Sequence, residues 1–304
     1  MKVFVVGATG YIGGTVAQRL LAEGHAVSGL ARSEDSAGAL VDQGIAPVRG
    51  TLGDLDILAD AAGAADAVIN AASADDPFAA LALVAALRGS GKRLIHTSGS
   101  SVVADAAGGE HAGPAFSEDT PLDPHPARAG RCAIDRAILG SASQGVHAVV
   151  ICPGLIYGEG RGAHRDSVQI PNLIAAAKAR GAGVHIGPGE NIWSNVHIDD
   201  IADLFLLALH RAPAGTFYFA ESGEQSMKDT AAAISRLLGF GGATVGLTRA
   251  EAIRLWGAGP ALVSLASNSR VRADKARAML GWTPSGVTLT DEIENGWYRR
   301  SLAG

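Results

Sequence analysis

Three glycines near the start of the chain have the spacing of a phosphate-binding turn. An apolar run at residues 3–6 leads directly into Gly7, Gly10 and Gly13. In such a motif the first glycine permits a tight turn after a strand and the second lets backbone N–H groups approach a pyrophosphate. The third lets the following helix pack against the sheet, and the positive end of that helix favours the anion. The spacing therefore predicts a dinucleotide cofactor. The residues expected to contact it are Gly7, Thr9, Gly10, Tyr11, Ile12 and Gly13.

The residues after the second predicted strand indicate which dinucleotide is bound. Proteins of this type that prefer NAD usually carry an acidic residue there, which binds the ribose 2′-hydroxyl. This chain has Arg32 and Ser33 instead, with no acid at positions 30 or 31. Arg32 can pair with a 2′-phosphate and Ser33 can donate to it, although a solvated loop arginine is the alternative and two nearby acids would weaken the site. We therefore predict NADP(H), with NAD(H) as the alternative.

Strand-like and helix-like segments alternate through the first half of the chain. This alternation predicts an α/β fold, a Rossmann-type doubly wound parallel sheet, in which ligands bind at the carboxyl ends of the strands. Strands are predicted at 2–6, 26–31, 46–49, 67–70, 93–97 and 147–152. Helices are predicted at 12–23, 34–43, 55–62, 76–89 and 127–144.

The regular alternation of strands and helices ends near residue 155, and glycine-rich turns separate shorter segments beyond it. We predict helices at 168–180, 199–210, 226–238, 248–257 and 272–280, a hairpin at 184–195 and a strand at 216–219. The predicted organisation is a dinucleotide-binding domain at 1–155 and a smaller, interleaved substrate-binding lobe at 156–304. Residues 184–220 are expected to return partly to the first sheet.

Composition narrows the class of protein further. The 304 residues are 47% hydrophobic and 18% charged, with a net charge of −5, which suits a well-buried enzyme and argues against nucleic-acid binding. The two cysteines form neither a disulfide framework nor a metal motif, so no metal is expected. We find no signal peptide and no apolar span long enough for a bilayer. We therefore expect a cytoplasmic protein that acts on a small molecule, without membrane or nucleic-acid partners.

Five motifs in order along nearly the whole chain resemble the extended and atypical short-chain dehydrogenase/reductases, the epimerase/dehydratase-like proteins. They are Gly-Ala-Thr-Gly-Tyr-Ile-Gly at 7–13, Asn-Ala-Ala at 70–72, Pro-Gly-Leu-Ile-Tyr-Gly at 153–158, Val-His-Ile-Asp-Asp at 196–200 and Leu-Gly-Trp-Thr-Pro at 280–284. The resemblance implies that Leu52, Ala71, Ala72 and Pro153 border the cofactor. It also implies homodimerisation.

The chain departs from this family at the catalytic residues. The family usually carries a Tyr-x-x-x-Lys pair on one helix, in which the tyrosine transfers a proton. Alignment places Ala127 at the tyrosine and Arg131 at the lysine, so the usual acid is missing, while Arg131 can still bind the cofactor ribose. Gly99 falls at or next to the family's serine, so Ser98 or Ser100 must replace it, unless these serines only satisfy a strand-end turn. The combination resembles an atypical subgroup that lacks the intact catalytic set.

Tyr157 is the first candidate for a replacement proton donor, because its segment is expected beside the nicotinamide. A phenol there can protonate an alkoxide if its pKa is depressed, and core packing is the alternative. His96 fits a core histidine better than a catalytic one. Arg270 and Arg272 lie where relatives that bind nucleotide sugars use basic residues, with surface charge as the alternative. The catalytic candidates are thus Ser98, Ser100, Tyr157 and Arg131.

These features favour an NADP(H)-dependent oxidoreductase that reduces a carbonyl or imine, with a non-standard proton donor. Two alternatives stay open. One is a sugar-type epimerase or dehydratase with tightly held NAD(P), which needs the missing base even more. The other is a non-catalytic protein that senses or binds NADP.

Overall fold

A computed structural model describes residues 1–111 and 113–303. Within this part of the chain the strands form one large sheet and two small ones. The strands are β1 Lys2–Val6, β2 Ala26–Ala31, β3 Ala46–Arg49, β4 Ala67–Asn70, β5 Arg93–Thr97, β6 His147–Pro153, β7 Leu155–Tyr157, β8 Gly183–Ile186, β9 Ile192–His197, β10 Thr216–Ala220, β11 Gly223–Ser226 and β12 Thr244–Leu247. The helices are α1 Tyr11–Ala22, α2 Glu34–Val41, α3 Leu55–Ala64, α4 Pro77–Leu87, α5 Ala129–Gly140, α6 Gln169–Arg180, α7 Ile198–Arg211, α8 Met227–Leu237, α9 Arg249–Trp256, α10 Asp274–Leu280, α11 Leu289–Glu294 and α12 Trp297–Ala303.

The large sheet has seven parallel strands in the order β3-β2-β1-β4-β5-β6-β10. Its inner strand β1 alternates its side chains between two apolar clusters. Val3 and Val5 join the cluster under α1 and α7, whereas Phe4 and Val6 join the cluster under α3, α4 and α5. Both faces of the sheet are therefore covered by helices, as a buried parallel sheet requires. The predicted α/β class and doubly wound sheet are confirmed.

The helix predicted at 127–144 is subdivided. A 3-10 turn at Pro126–Arg128 precedes α5, which ends at Gly140, and a second 3-10 turn follows at Ser141–Gln144. Buried residues of α5, such as Ile134 and Ile138, face the sheet three to four positions apart. The helix thus presents one face to the ends of β5 and β6.

Two small sheets, β7-β9-β11 and β8-β12, are built from strands that follow β6 in sequence, with β10 of the large sheet between them. The predicted hairpin at 184–195 is wrong, because β8 pairs in parallel with β12 while β9 pairs with β7 and β11. The turn between β8 and β9 packs against a later part of the chain. The buried Asn191 side chain donates to the carbonyls of Leu265 and Ser267 at 3.1 and 2.7 Å, which draws β8 and β9 apart.

The chain returns to the large sheet at β10, which pairs in parallel with β6. Helix α7 leads into β10 and carries a continuous apolar face that includes Ile201, Phe205 and Leu209. None of the helices in the described ranges is both long and apolar enough to cross a bilayer.

Candidate active site

The carboxyl ends of four parallel strands open into one cavity of about 450 Å³. Its wall on the side of the large sheet includes the predicted residues Gly10, Tyr11, Ile12, Ala71, Ala72, Ser98, Ser100, Arg131 and Pro153. The opposite wall comes from residues 166–169, Trp193 and Ser264. The structure therefore brings the glycine turn, the serine segment and Arg131 together. We refer to this cavity as the crevice.

The glycine turn is shaped so that only glycine fits at two of its positions. Gly7 has φ +93°, and a Cβ there would lie 2.8 Å from backbone atoms of Ala71. A Cβ at Gly13 would collide with the Gly7 carbonyl. These close approaches bring the start of α1 against the end of β4.

Helix α1 begins at Gly10, and no side chain of the described residues caps its first turn. Other helices are capped in the usual way, for example α2 by Ser33 and α4 by Asp76. The first turn of α1 also carries no acidic residue. Its backbone N–H groups are therefore left for an anion in the crevice, and the donor set fits a dinucleotide pyrophosphate.

Six predicted cofactor residues lie outside the lining of the crevice: Gly7, Thr9 and Gly13 belong to the glycine turn, and Arg32, Ser33 and Leu52 lie farther along the chain. Arg32 is exposed at the end of β2 and forms no ion pair with any residue the structure describes. The Ser33 hydroxyl caps α2, because it accepts from the Ser36 N–H at 3.1 Å, and it lies 2.9 Å from the Ser36 hydroxyl. Leu52 is half-buried against the second face of the sheet. Glu34, which would oppose a phosphate, pairs with Arg49 at 2.9 Å.

Arg131 is held by two partners at the edge of the crevice. It donates to both carboxylate oxygens of Asp75, at 2.9 and 2.5 Å, and its Nη1 donates to the Ser101 hydroxyl at 3.0 Å. Its guanidinium also lies where a side chain at Gly99 would project, since a Cβ there would be 3.0 Å from Nη1. The glycine at 99 thus makes room for the Arg131 guanidinium.

Ser98 forms the shortest polar contact at the base of the crevice. Its hydroxyl donates to Oδ2 of Asp135 at 2.6 Å, and both side chains are buried. On the far side of Asp135, Nε2 of His96 lies 3.8 Å from Oδ1 and has no hydrogen-bond partner among the described residues. The other ring nitrogen of His96 is 3.1 Å from the Asn70 amide. These four side chains form a buried polar row that ends at Ser98.

Burial determines the protonation states of the two titratable side chains in this row, Asp135 and His96. It raises the pKa of Asp135 to about 6, while the Ser98 hydrogen bond and the Arg131 charge oppose the rise. Burial also lowers the pKa of His96 to about 4, so that this imidazole is neutral near pH 7. Sequence reasoning missed Asp135. The available signal was an acidic residue on the buried face of α5, between Ile134 and Ile138.

Ser100 contacts Ser269 and not the Asp135 carboxyl. It is fully buried, its carbonyl oxygen accepts from the Ser269 hydroxyl at 2.8 Å, and the two hydroxyl oxygens also lie 2.8 Å apart. This contact fastens the segment after β5 to the chain around Ser269. Ser100 thus lines the crevice but has its hydroxyl occupied by protein.

Tyr157 does not reach the crevice. Its hydroxyl donates to the Val287 carbonyl at 2.8 Å, and its ring meets the edge of His197 at a centroid distance of 5.5 Å. Burial raises the pKa of the phenol, which is the reverse of the depression that a proton donor here would need. The side chain packs in the apolar cluster around Leu173 and Ile234.

Both candidate arginines of a nucleotide-sugar site are bound to protein. Arg270 and Arg272 contact the Glu224 carboxylate at 2.8 and 3.0 Å. Hydrogen bonds from these guanidinium groups lower the pKa of Glu224 to about 2. The three charges therefore form an internal cluster.

Comparison with known proteins places this geometry in a family. The model of the NAD-dependent epimerase/dehydratase family matches residues 3–218. A protein of Schizosaccharomyces pombe, named only as uncharacterised, is 33% identical over 98% of this chain and 100% of its own length. An oxidase of an Acremonium species is 32% identical over 96% of this chain and 95% of its own length. More distant relatives include several reductases.

Solved structures show the same fold. The dTDP-glucose 4,6-dehydratase of Bacillus anthracis, solved with NAD, superposes with a TM-score of 0.77 over 99% of this chain and 97% of that one, at 17% identity. The glycine turn, the seven-stranded sheet and the matched residues agree on one conclusion. The chain belongs to the NAD-dependent epimerase/dehydratase family, a group of NAD(P)-dependent oxidoreductases and epimerases.

Proposed function

We propose that the protein is an NADP(H)-dependent reductase of a small carbonyl or imine compound, in which Ser98 delivers a proton that Asp135 supplies. The observation that carries the proposal is the 2.6 Å hydrogen bond between these side chains at the base of the crevice. Reduction of a carbonyl needs one hydride and one proton at the same site. The crevice combines a dinucleotide turn with a protonatable group.

The cofactor would be held by the first turn of α1 and by the ends of β4 and β6. A nicotinamide dinucleotide, when bound, supplies the hydride. The uncapped N–H groups after Gly10 would bind its pyrophosphate, while Ala71, Ala72 and Pro153 form the adjoining apolar wall. These residues exclude water from the reacting face.

The proton path runs through two oxygen atoms. When Asp135 is protonated, its O–H can donate to Oγ of Ser98, which leaves the serine O–H free to point into the crevice. Transfer of the serine proton to the substrate oxygen or nitrogen is then matched by transfer of the Asp135 proton to Oγ. The raised pKa of Asp135 keeps part of this acid protonated near neutral pH. This pair would replace the tyrosine that the family uses.

Arg131 is a positioning residue in this scheme. Because it is bound to Asp75 and Ser101, it ties α5 to the loops after β4 and β5. It also fills the space beside Gly99 and leaves Ser98 as the serine that contacts Asp135. We propose that Ala127 and Arg131 occupy the positions of the Tyr-x-x-x-Lys pair, while Ser98 and Asp135 take over the proton transfer of the tyrosine.

The preference for NADP(H) rests on charge at the end of β2. Arg32 is exposed, and the acid nearest to it in sequence that could repel a phosphate, Glu34, is paired with Arg49. A 2′-phosphate beside Arg32 would gain a charge-assisted contact that a ribose hydroxyl cannot offer.

Arg128 favours an acidic group on the substrate. It lines the crevice, and its buried Nε has no partner in the described ranges. The neighbouring carboxylate, Asp75, already binds Arg131 through both oxygens. A substrate carboxylate would satisfy Arg128, and Trp193 offers an apolar surface on the opposite wall.

The nucleotide-sugar epimerase alternative has less support from the residues. Arg270 and Arg272 would have to leave Glu224 before they could bind a diphosphate. An epimerase must also remove a proton from an alcohol, and Asp135 with a pKa of about 6 is a weak base for that step.

The proposal is tested by NADPH oxidation with a panel of aldehydes, ketones, 2-oxo acids and imines. We expect turnover that is fastest for acidic carbonyl compounds. Ser98→Ala should lower kcat by about 10²-fold, the effect of losing a general acid. Ser143→Ala is the matched control, because its hydroxyl is exposed and contacts only the Gly140 carbonyl among the described residues.

Two results would contradict the proposal. Tight NADPH binding without turnover of any compound would favour a cofactor-sensing protein. Full activity in Ser98→Ala would show that Ser98 is not the proton donor.

A further inference from the structure

Three metal-ligating side chains converge on the surface at the opposite end of the large sheet from the crevice. Glu23 follows α1, His25 directly precedes β2, and His210 lies in the last turn of α7. One ligand atom from each lies within 4.8 Å of the other two. We refer to these residues as the Glu23–His25–His210 cluster.

The distances within the cluster match those around a bound metal ion. Oε2 of Glu23 is 3.0 Å from Nε2 of His210 and 3.4 Å from Nε2 of His25. Zinc bonds of 2.0–2.1 Å in a tetrahedral site place neighbouring ligand atoms about 3.3–3.4 Å apart. The carboxylate oxygen and both imidazole nitrogens can therefore ligate one ion with small adjustments of their side chains.

The backbone beneath the cluster is fixed. The Glu23 and His25 N–H groups donate to the carbonyls of Arg19 and Leu20 at 3.1 and 3.0 Å, which closes the turn between α1 and β2. Leu20 and Leu209 are buried in the same apolar cluster, so that α1 and α7 hold the ligands on neighbouring rigid elements. His25 is only 12% exposed, and its Nε2 has no hydrogen-bond partner among the described residues.

Two nearby arginines are already engaged by the protein. Arg19 pairs with Asp203, and Arg211 donates to the Leu280 carbonyl at 3.2 Å. The N-terminal ammonium of Met1 lies 3.3 Å from Nδ1 of His25, not from the Nε2 that approaches Glu23. An incoming cation thus meets the Glu23 carboxylate and two imidazoles at the centre of the cluster.

We propose that the Glu23–His25–His210 cluster binds one zinc ion and links the α1–β2 turn to the end of α7. Two imidazoles and one carboxylate are a common zinc donor set, and three protein ligands leave a fourth position for water. Magnesium and calcium are disfavoured because they prefer oxygen ligands throughout. The ligands are up to 187 residues apart, which is why no motif in the sequence indicates the site.

Isothermal titration calorimetry of EDTA-treated protein without a histidine tag tests this proposal. We expect ZnCl₂ to give a 1:1 isotherm and MgCl₂ to give none under the same conditions. Zinc should also raise the melting temperature, because it binds the folded state. His210→Ala is the main variant, since its side chain is 42% exposed and its removal leaves the core intact. It should weaken zinc binding by at least about tenfold.

His25→Ala should weaken zinc binding similarly, and the exposed His111→Ala is the matched control that should bind as the native protein does. The proposal is overturned if the native protein gives no saturable 1:1 zinc binding. It is also overturned if His210→Ala binds zinc as tightly as the native protein, because the ion would then lie elsewhere.

Discussion

Asp135 and Ser98 show how two residues of ordinary type acquire a function through burial. A carboxyl group in water would be ionised at neutral pH and could not donate a proton. The Asp135 carboxyl on α5 is buried away from water, which disfavours its charged form and raises its pKa to about 6. Ser98 alone reaches the crevice, so it passes on a proton that Asp135 holds.

Asp135→Asn should change both the rate of reduction and its pH dependence. In the native protein the donor form is present below about pH 6 and is lost as the pH rises through the Asp135 pKa, so kcat should fall across this window. The variant should be slower by about 10²-fold and should lack that fall. The exposed Asp123→Asn is the matched control. An unchanged profile in Asp135→Asn would exclude this acid as the donor.

Asp135→Asn should also change the free energy of unfolding. The donor role of Asp135 matters at low pH, whereas this effect on stability should be largest at high pH. The pKa of Asp135 is higher in the folded state than its usual 3.8, so its ionisation costs folding free energy above about pH 6 and costs nothing below about pH 4. Asp135→Asn should therefore raise the free energy of unfolding at pH 8 by about 1–3 kcal/mol relative to its effect at pH 4. Urea unfolding at both pH values measures this, and a gain of equal size at both would contradict it.

Tyr157→Phe tests whether the Tyr157 hydroxyl has a structural role or a catalytic one. The phenol hydroxyl donates to the Val287 carbonyl in the second core, so its loss should lower the free energy of unfolding by about 1 kcal/mol. We expect kcat to stay within about twofold of the native value, because the side chain does not line the crevice. A loss of about 10²-fold in kcat with unchanged stability would restore Tyr157 as the proton donor.

At the scale of elements, local sequence predicts the first half of the fold well. The strands at 2–6, 26–31, 46–49, 67–70 and 93–97 have the predicted bounds. Short apolar runs bounded by turns are typical of buried parallel strands such as β1 and β4, whereas β3 at the edge of the sheet is mostly exposed. The hairpin at 184–195 fails because β8 and β9 are buried strands that pair with partners elsewhere in the chain, β8 with β12 and β9 with β7 and β11. Adjacency in sequence carries no information about those partners.

The turn between β1 and α1 gives a prediction at this scale. Gly13→Ala would place a methyl group against the Gly7 carbonyl, so the turn must widen. We expect dinucleotide binding to weaken by at least about tenfold and stability to fall by about 1–3 kcal/mol. Gly63→Ala is the matched control, since a Cβ there meets nothing within 4 Å and alanine favours the helix. Normal dinucleotide affinity in Gly13→Ala would show that the close approach is not needed.

At the scale of the whole molecule, the contacts that define the site join residues that sequence cannot pair. Ser98 meets Asp135 across 37 positions, Arg131 meets Asp75 across 56 and Tyr157 meets Val287 across 130. The glycine turn was predictable because its parts are consecutive and the physics of the turn is local. The proton source was not, since it depends on which side of α5 faces β5 and on how deeply that side is buried. Residue types in the sequence indicate candidate site residues, and the tertiary fold determines which of them come into contact.

A titration of the tag-free protein with NADPH and with NADH, followed by nicotinamide fluorescence, tests the account most directly. We predict 1:1 binding of NADPH at least about tenfold tighter than that of NADH, a difference of about 1.4 kcal/mol. Arg32→Asp should reverse the preference, while the exposed Arg88→Asp, on the C-terminal side of α4, should leave it unchanged. Tighter binding of NADH by the native protein would contradict the role of Arg32. Binding of neither nucleotide would contradict the account as a whole.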